Sequence, residues 1–314
     1  MKAFIIGAAG FVGKHLIDHL RDERGWSIVV SKLPHEQINT AGVEIYDLDI
    51  LDKNAVQTCL QVIQPDCIFH LAALSSVALS WKEPGLTVDI NIKGSLNVLD
   101  AVRTLTKQPR VLLIGSGEEY GLVLQEEIPI TEENNLRPGN IYAATKACQG
   151  MIGKIYANAY NMDIMMIRAF NHIGAGQAPM FVVSDFCKQV AEIEAGKREP
   201  IIRVGNLSAK RDFTNVRDVI RAYSLLMEKG KSGETYNVGQ GVAISVDDIL
   251  KIILANATRK IQIEIDPDRL RPVDIPIIEA NIDKLTAITG WHPVIPLERT
   301  LVETLNYWRN IVAL

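Results

Sequence analysis

Tyr142 and Lys146 stand four residues apart in a helix-patterned segment, and Ser116 lies upstream at the end of an apolar run. At that spacing two side chains share one helical face. A free tyrosine ionises near pH 10, too high for proton exchange at neutral pH. A neighbouring ammonium stabilises the phenolate and lowers that value. The pair can then give or take a proton as a general acid or base. The hydroxyl of Ser116 can hydrogen-bond a reacting carbonyl oxygen.

A second group opens the chain. Gly7-Ala8-Ala9-Gly10-Phe11-Val12-Gly13 lies between the apolar run Lys2–Ile6 and a helical pattern from Phe11 to about Glu23. Glycine there permits a tight turn and a close approach of backbone N–H groups to a pyrophosphate, and Gly13 permits close helix–strand packing. The helix N-terminus then favours negative charge. Glycines alone would serve a turn and packing equally well; the strand–turn–helix context points to a dinucleotide. A dinucleotide that moves hydride and a tyrosine that moves a proton complete an oxidoreductase. The next strand ends in Ser31-Lys32, with no acid to take a ribose 2′-OH. Lys32 can meet a 2′-phosphate instead, so NADP(H) is favoured over NAD(H).

These groups need a scaffold. Strand patterns at Lys2–Ile6, Ser27–Ser31, Val43–Tyr46, Cys67–Ala72, Arg110–Ile114 and Ile164–Arg168 alternate with helical ones. The helices are expected from Phe11, after an Asp52 N-cap, over about Leu86–Leu105 and over Tyr142 to about Tyr160. Such alternation implies an α/β fold with a doubly wound parallel sheet, a Rossmann sheet of six or seven strands. Residues 1–168 form the dinucleotide-binding domain, with returns near 214–240 and 275–290, and residues 169–314 mainly a smaller α/β substrate lobe. In that half, helices fit Val182–Ala195, Val216–Glu228, Val246–Ala255 and Leu297–Ile311, and strands Ile201–Val204, Thr235–Val238 and Ile261–Ile265.

Composition excludes several classes. Of 314 residues 47% are apolar, enough for a sizeable core, yet no run approaches the roughly 20 apolar residues of a membrane span. The N-terminus does not read as a signal peptide. A net charge of −4 leaves no basic footprint for nucleic acid. Cys59, Cys67, Cys148 and Cys187 lack metal spacing and read as reduced, mostly buried thiols of a cytoplasmic protein. The six histidines show no H-x-x-x-H pattern, so no metal is expected.

The first two glycines are two residues apart rather than one, and with Ser116, Tyr142 and Lys146 in this order the chain resembles the extended short-chain dehydrogenases/reductases along nearly its full length. The resemblance implies that Asp49 and Ile50 contact adenine. It implies that Leu71, Ala72 and Ala73, after His70, line the cofactor cleft, and that Lys146 also holds the nicotinamide ribose. Asn91 matches a fourth, structural polar position. Three segments are similar to those of sugar-nucleotide enzymes. Gly205-Asn206-Leu207 with Arg211-Asp212-Phe213 resembles their diphosphate-gripping stretch. Arg168 to Gly174 matches a signature whose asparagine, here Asn171, contacts substrate. Leu270-Arg271-Pro272 matches one whose arginine, here Arg271, reaches a phosphate. Ser116-Gly117-Glu118-Glu119-Tyr120-Gly121 is similar to the GDP-mannose 4,6-dehydratases and their reductase relatives. A dehydratase needs polar side chains directly after the serine, and Gly117 supplies none, although Glu118 occupies the dehydratase glutamate position. The fucose-forming epimerase–reductases place a cysteine there. The expected activity is therefore NADPH-dependent reduction of a C4 ketone on a GDP-linked 6-deoxy sugar, with dehydration and 4-epimerisation as alternatives and a dinucleotide-sensing scaffold as the non-enzymatic one. A homodimer is expected through the helices at about Leu86–Leu105 and Tyr142–Tyr160.

Overall fold

The computed structural model describes residues 1–269 and 275–313. Its first half runs β1 (Lys2–Ile6), α1 (Phe11–Asp18, passing into a π turn at His19–Glu23), β2 (Ser27–Lys32), β3 (Glu44–Asp47), α2 (Lys53–Ile63), β4 (Cys67–His70), α3 (Val77–Lys82), α4 (Pro84–Val88), α5 (Ser95–Arg103), β5 (Arg110–Ser116), α6 (Ile141–Tyr160) and β6 (Ile164–Ala169). The second half runs β7 (Asn171–Ile173), α7 (Val182–Glu194), β8 (Ile201–Val204), β9 (Lys210–Asn215), α8 (Val216–Lys229), β10 (Thr235–Val238), β11 (Ala243–Ser245), α9 (Val246–Ala255), β12 (Gln262–Ile265), β13 (Ile277–Ile278), α10 (Asp283–Thr289) and α11 (Leu297–Ala313).

Seven strands form one parallel sheet in the order β10-β6-β5-β4-β1-β2-β3. Its middle strands read as unbroken apolar runs because helices cover both faces. In β1 the alternation sends Ala3 and Ile5 to one face and Phe4 and Ile6 to the other. Ala3 and Ile5 pack with Leu16, Ile17, Val219, Tyr223 and Trp291. Phe4 and Ile6 pack with Val56, Leu60, Val98 and Leu99. The strand order reverses between β1 and β4, so a crevice opens beyond their carboxyl ends, where doubly wound sheets take ligands. Asp52 caps α2 by accepting the Ala55 N–H at 3.0 Å, and the helix stops at left-handed Gln64, before Pro65.

The second half borrows from the sheet and builds its own lobe. β10 pairs with β6 at the sheet edge, while β7, β9, β11 and β13 make a separate four-stranded sheet and β8 pairs with β12. Phe186, Val190, Ile249, Leu301 and Leu305 form the lobe's core. Strand β9, Lys-Arg-Asp-Phe-Thr-Asn, escapes a hydrophobicity reading because its buried residues are mostly polar. Strands β7, β11 and β13 and helices α3 and α10 are also absent from the sequence reading, each too short to show a period. The long helix expected over Leu86–Leu105 is three pieces, since a π turn at Asp89–Gly94 separates α4 from α5. All four cysteines are free, Cys59, Cys67 and Cys187 being buried. Among the described residues no helix is long and apolar enough to cross a membrane.

Candidate active site

Strand β5 ends at Ser116, which opens a 3₁₀ turn over Gly117–Tyr120. The turn is capped reciprocally. Ser116 Oγ accepts the Glu118 N–H at 3.2 Å, and Glu119 Oε1 accepts the Ser116 N–H at 2.7 Å. Asn140 caps α6 by accepting the Ala143 N–H at 2.8 Å, and its Nδ2 donates to Glu118 Oε2 at 3.3 Å. One residue thus fixes the start of α6 relative to the Ser116 turn, and the first turns of α6 carry Tyr142 and Lys146 against the end of β5. Lys146 Nζ donates to Ile114 O at 2.7 Å and to Gln149 Oε1 at 3.0 Å. Behind it, Gln149 Nε2 donates to Ser95 Oγ at 2.8 Å, Ser95 Oγ donates to Asn91 O at 2.7 Å, and His70 Nε2 lies 2.9 Å from Ser95 Oγ. Asn91 braces the site from the π turn. It accepts the Leu74 N–H at 2.8 Å and donates to Thr145 Oγ1 at 2.9 Å.

The electrostatics differ from the simple pair expected. Burial pushes the Tyr142 phenol well above its ordinary pKa; the Ser116 hydroxyl opposes this, and the carboxylates of Glu118 and Glu119 add to it. Lys146 does not offset that burial, because its ammonium is drawn onto the Ile114 carbonyl and Gln149. Burial in turn pushes Lys146 down to about 8, with Glu119 resisting. His70 is held near 3 by burial, with Lys146 adding to the effect, so its ring is neutral at physiological pH. The structure therefore presents a protonated phenol beside Ser116, a proton donor in waiting.

The glycine run meets the strand tips closely. Gly7 has φ +81°, and a Cβ on it would lie 2.6 Å from Ala72 Cα. A Cβ on Gly13 would lie 2.2 Å from Ala8 O. Gly10 is the N-cap of α1 and caps no amide with a side chain, which suits an anion at the first turn formed by Phe11, Val12 and Gly13. Leu71 and Ala72 both donate their N–H to Ile6 O, at 3.0 and 2.9 Å, and lead Ala73 along the crevice. Ser31 is buried, its Oγ accepting the Gly7 N–H at 3.4 Å. Lys32 pairs with Asp47 of β3. Asp49 Oδ1 accepts the Leu51 N–H at 2.9 Å, and Ile50 packs so tightly on the π turn that a Cβ on Gly94 would lie 2.5 Å from its Cδ1. The residues present fit a dinucleotide: close backbone approach, an open helix N-terminus and small residues after β4.

Gly117, Glu118, Phe170, Asn171, Asp212 and Ile278 line a small cavity of about 10 Å³, room for about one water molecule. Gly117 lies flat on Phe170, where a Cβ would come 3.1 Å from the ring. Asp212 is buried and accepts the N–H groups of Gln240, Gly241 and Ala280 at 2.5, 2.9 and 3.2 Å, pinning β9 to two neighbouring loops. Burial pushes its carboxyl up to about 6. Two of the sequence candidates sit elsewhere among the described residues. Asn206 is exposed on the β8–β9 turn, where its Oδ1 accepts the Ser208 N–H at 3.0 Å. Arg211 is buried and donates to Lys210 O at 2.8 Å and Ile275 O at 2.6 Å, so it holds chain rather than lining the cavity. Arg271 lies outside the described residues.

Sequence reasoning passed over three features. Phe11 stacks on His172 with ring centroids 6.2 Å apart, and His15 Nε2 lies 3.1 Å from Ala175 O, so the first helix is clasped to the loop after β7. Gln149 was invisible because nothing in its own segment marks it as a lysine partner. Arg168 Nε donates to buried Glu119 Oε2 at 3.0 Å and its Nη1 to the Tyr120 hydroxyl at 2.9 Å; only the runs containing both residues were apparent.

Comparison with known proteins places the chain among nucleotide-sugar enzymes. The family model described as GDP-mannose 4,6 dehydratase matches residues 4–304. The chain is 30% identical over 312 residues to a GDP-6-deoxy-D-mannose reductase of Pseudomonas aeruginosa, covering 99% of this chain and 98% of that protein. It is 28% identical to a GDP-mannose 4,6-dehydratase of Sinorhizobium fredii, covering 92% and 91%. Among solved structures, RMD from Pseudomonas aeruginosa complexed with NADPH superposes with a TM-score of 0.89 at 29% identity, covering 99% of each chain. UDP-glucose 4-epimerase of Thermus thermophilus in complex with NAD gives 0.88 at 26% identity, covering 98% and 99%.

Proposed function

The chain belongs to the GDP-mannose 4,6-dehydratase family of extended short-chain dehydrogenases/reductases, a group of NAD(P)-dependent nucleotide-sugar enzymes, and on that footing we propose that it reduces the C4 ketone of GDP-4-keto-6-deoxy-D-mannose to GDP-D-rhamnose with NADPH. The observation that carries the reading is the buried phenol of Tyr142 beside Ser116, followed by Gly117, which offers no further polar side chain. Reduction asks the protein for one proton and a grip on one oxygen.

In this mechanism Ser116 Oγ and the Tyr142 hydroxyl hold the C4 carbonyl oxygen. NADPH, when bound by Gly7, Gly10, Phe11, Val12, Gly13, Asp49, Ile50, Leu71, Ala72 and Ala73, supplies the hydride. As charge develops on the oxygen, Tyr142 donates its proton there. Lys146 turns its ammonium from Ile114 O and Gln149 Oε1 toward the phenolate left behind. Asn171, lining the cavity with Glu118, meets the sugar. Asn206 and Arg271 are assigned to the diphosphate, while Arg211 holds chain at Lys210 O and Ile275 O. Turnover is expected to fall as pH rises through about 8, where Lys146 gives up its proton; a kcat profile measured from pH 6 to 10 checks this, and a flat profile would remove Lys146 from the mechanism.

Preference for NADPH is assigned to Lys32, since β2 ends without an acid. Its partner Asp47 partly neutralises it. Lys32→Glu is expected to weaken NADPH binding by about 10- to 100-fold while changing NADH binding little, read from Kd values for both. Equal losses for the two cofactors would overturn the assignment.

One observation favours a second reading. Glu118 lines the cavity and could take a C5 proton, as a 4,6-dehydratase requires. Incubation with GDP-mannose and catalytic NADP⁺ separates the two, because a dehydratase makes ketone there without net cofactor use and the reductase makes none.

The homodimer is proposed through α4, α5 and α6, which leave Leu86, Val88, Met151 and Ile155 exposed. Ile155→Glu with Met151→Glu is expected to give a monomer in sedimentation; a chain already monomeric before substitution would end that proposal.

A further inference from the structure

Glu119 is 2% exposed, and the mechanism so far gives it nothing to do. Its two oxygens are committed in different directions. Oε1 accepts the Ser116 N–H at 2.7 Å, and Oε2 accepts Arg168 Nε at 3.0 Å. Gly115 makes room for the carboxylate: a Cβ there would lie 2.3 Å from Oε1. Glu119, Gln149 and Arg168 share the walls of one small space between β5, β6 and α6, and Gln149 is the residue that accepts from Lys146 Nζ at 3.0 Å. A buried ion pair is weak evidence for stability, because desolvating two charges offsets much of their attraction. A role in the site accounts for keeping this one.

We propose that Glu119 is a positioning residue for the ketone reduction, fixing the Ser116 turn through the Ser116 N–H and setting its carboxylate beside Gln149, the partner of Lys146. The surrounding charges agree. Lys146 faces His70 from β4 and Glu119 from the turn after β5, while Arg168 of β6 faces Glu119, and Glu118 faces Tyr142. His70 is neutral and Arg168 is spent on Glu119 and Tyr120. Glu119 is thus the group that favours the charged lysine against its burial.

The proposal rests on the reductase reading for its effect on turnover, but not for the coupling of the two charges. The test is the protonation midpoint of Lys146, followed by NMR of protein carrying ¹³Cε-labelled lysine and assigned by the signal lost in Lys146→Met. In Glu119→Gln the midpoint is expected at lower pH, and the alkaline limb of kcat moves with it. Glu119→Asp keeps the charge but falls short of the Ser116 N–H, so it lowers kcat and leaves midpoint and limb in place. If Glu119→Gln does not fold, the Glu119→Gln/Arg168→Gln variant removes both buried charges and is expected to show the same downward shift. An unmoved midpoint in whichever of these folds overturns the coupling, and wild-type kcat in Glu119→Asp overturns the positioning of Ser116. A chain that reduces no ketone but shows the shifted midpoint would reject the reductase reading alone.

Discussion

Tyr142→Phe is expected to lower kcat by about 10²- to 10⁴-fold, the loss typical of a removed general acid. The phenyl ring keeps its place at the start of α6, and neither the Asn140 cap nor the Lys146 contacts involve the hydroxyl. NADPH affinity should therefore stay near that of the parent protein. The separation is informative: a variant with lost turnover and intact cofactor binding has lost chemistry and not structure. Steady-state rates with the keto sugar, together with a fluorescence titration of NADPH, give both numbers. Near-native turnover would remove Tyr142 from the role of proton donor.

Gly13→Ala carries the second large effect. The added Cβ would lie 2.2 Å from Ala8 O, a backbone atom of the same glycine turn that cannot swing aside. Relief requires α1 to move off β1, at a cost of about 1–3 kcal/mol for an overpacked site. Borne by the cofactor loop, that cost is about a 5- to 150-fold loss of NADPH affinity. In Gly10→Ala the Cβ would meet only Gly7 O at 3.7 Å, so an affinity loss there reports contact with the cofactor rather than helix packing. Equal affinities for Gly13→Ala and the parent protein would show that the cofactor does not depend on this turn.

Much of the scaffold was legible in the sequence because its physics is local. The strand over Lys2–Ile6 and the helix after the Asp52 cap follow from periodicity and capping alone. The parallel sheet follows from their alternation. The lobe was harder to read. β9 is a strand held by pairing on both sides and by the Asp212 carboxylate beneath it, and none of those partners is near in sequence. The same reason hid the site's second layer. That Ser116, Tyr142 and Lys146 converge could be argued from spacing and order. That Lys146 is drawn to Ile114 and Gln149, leaving the phenol protonated, depends on which groups burial brings together.

The most direct measurement uses GDP-4-keto-6-deoxy-D-mannose and NADPH deuterated at the transferable position, with the product examined by NMR and mass spectrometry. The account predicts one deuterium at C4 of the sugar for each NADPH oxidised. Unconsumed NADPH, or label at any carbon other than C4, would contradict it.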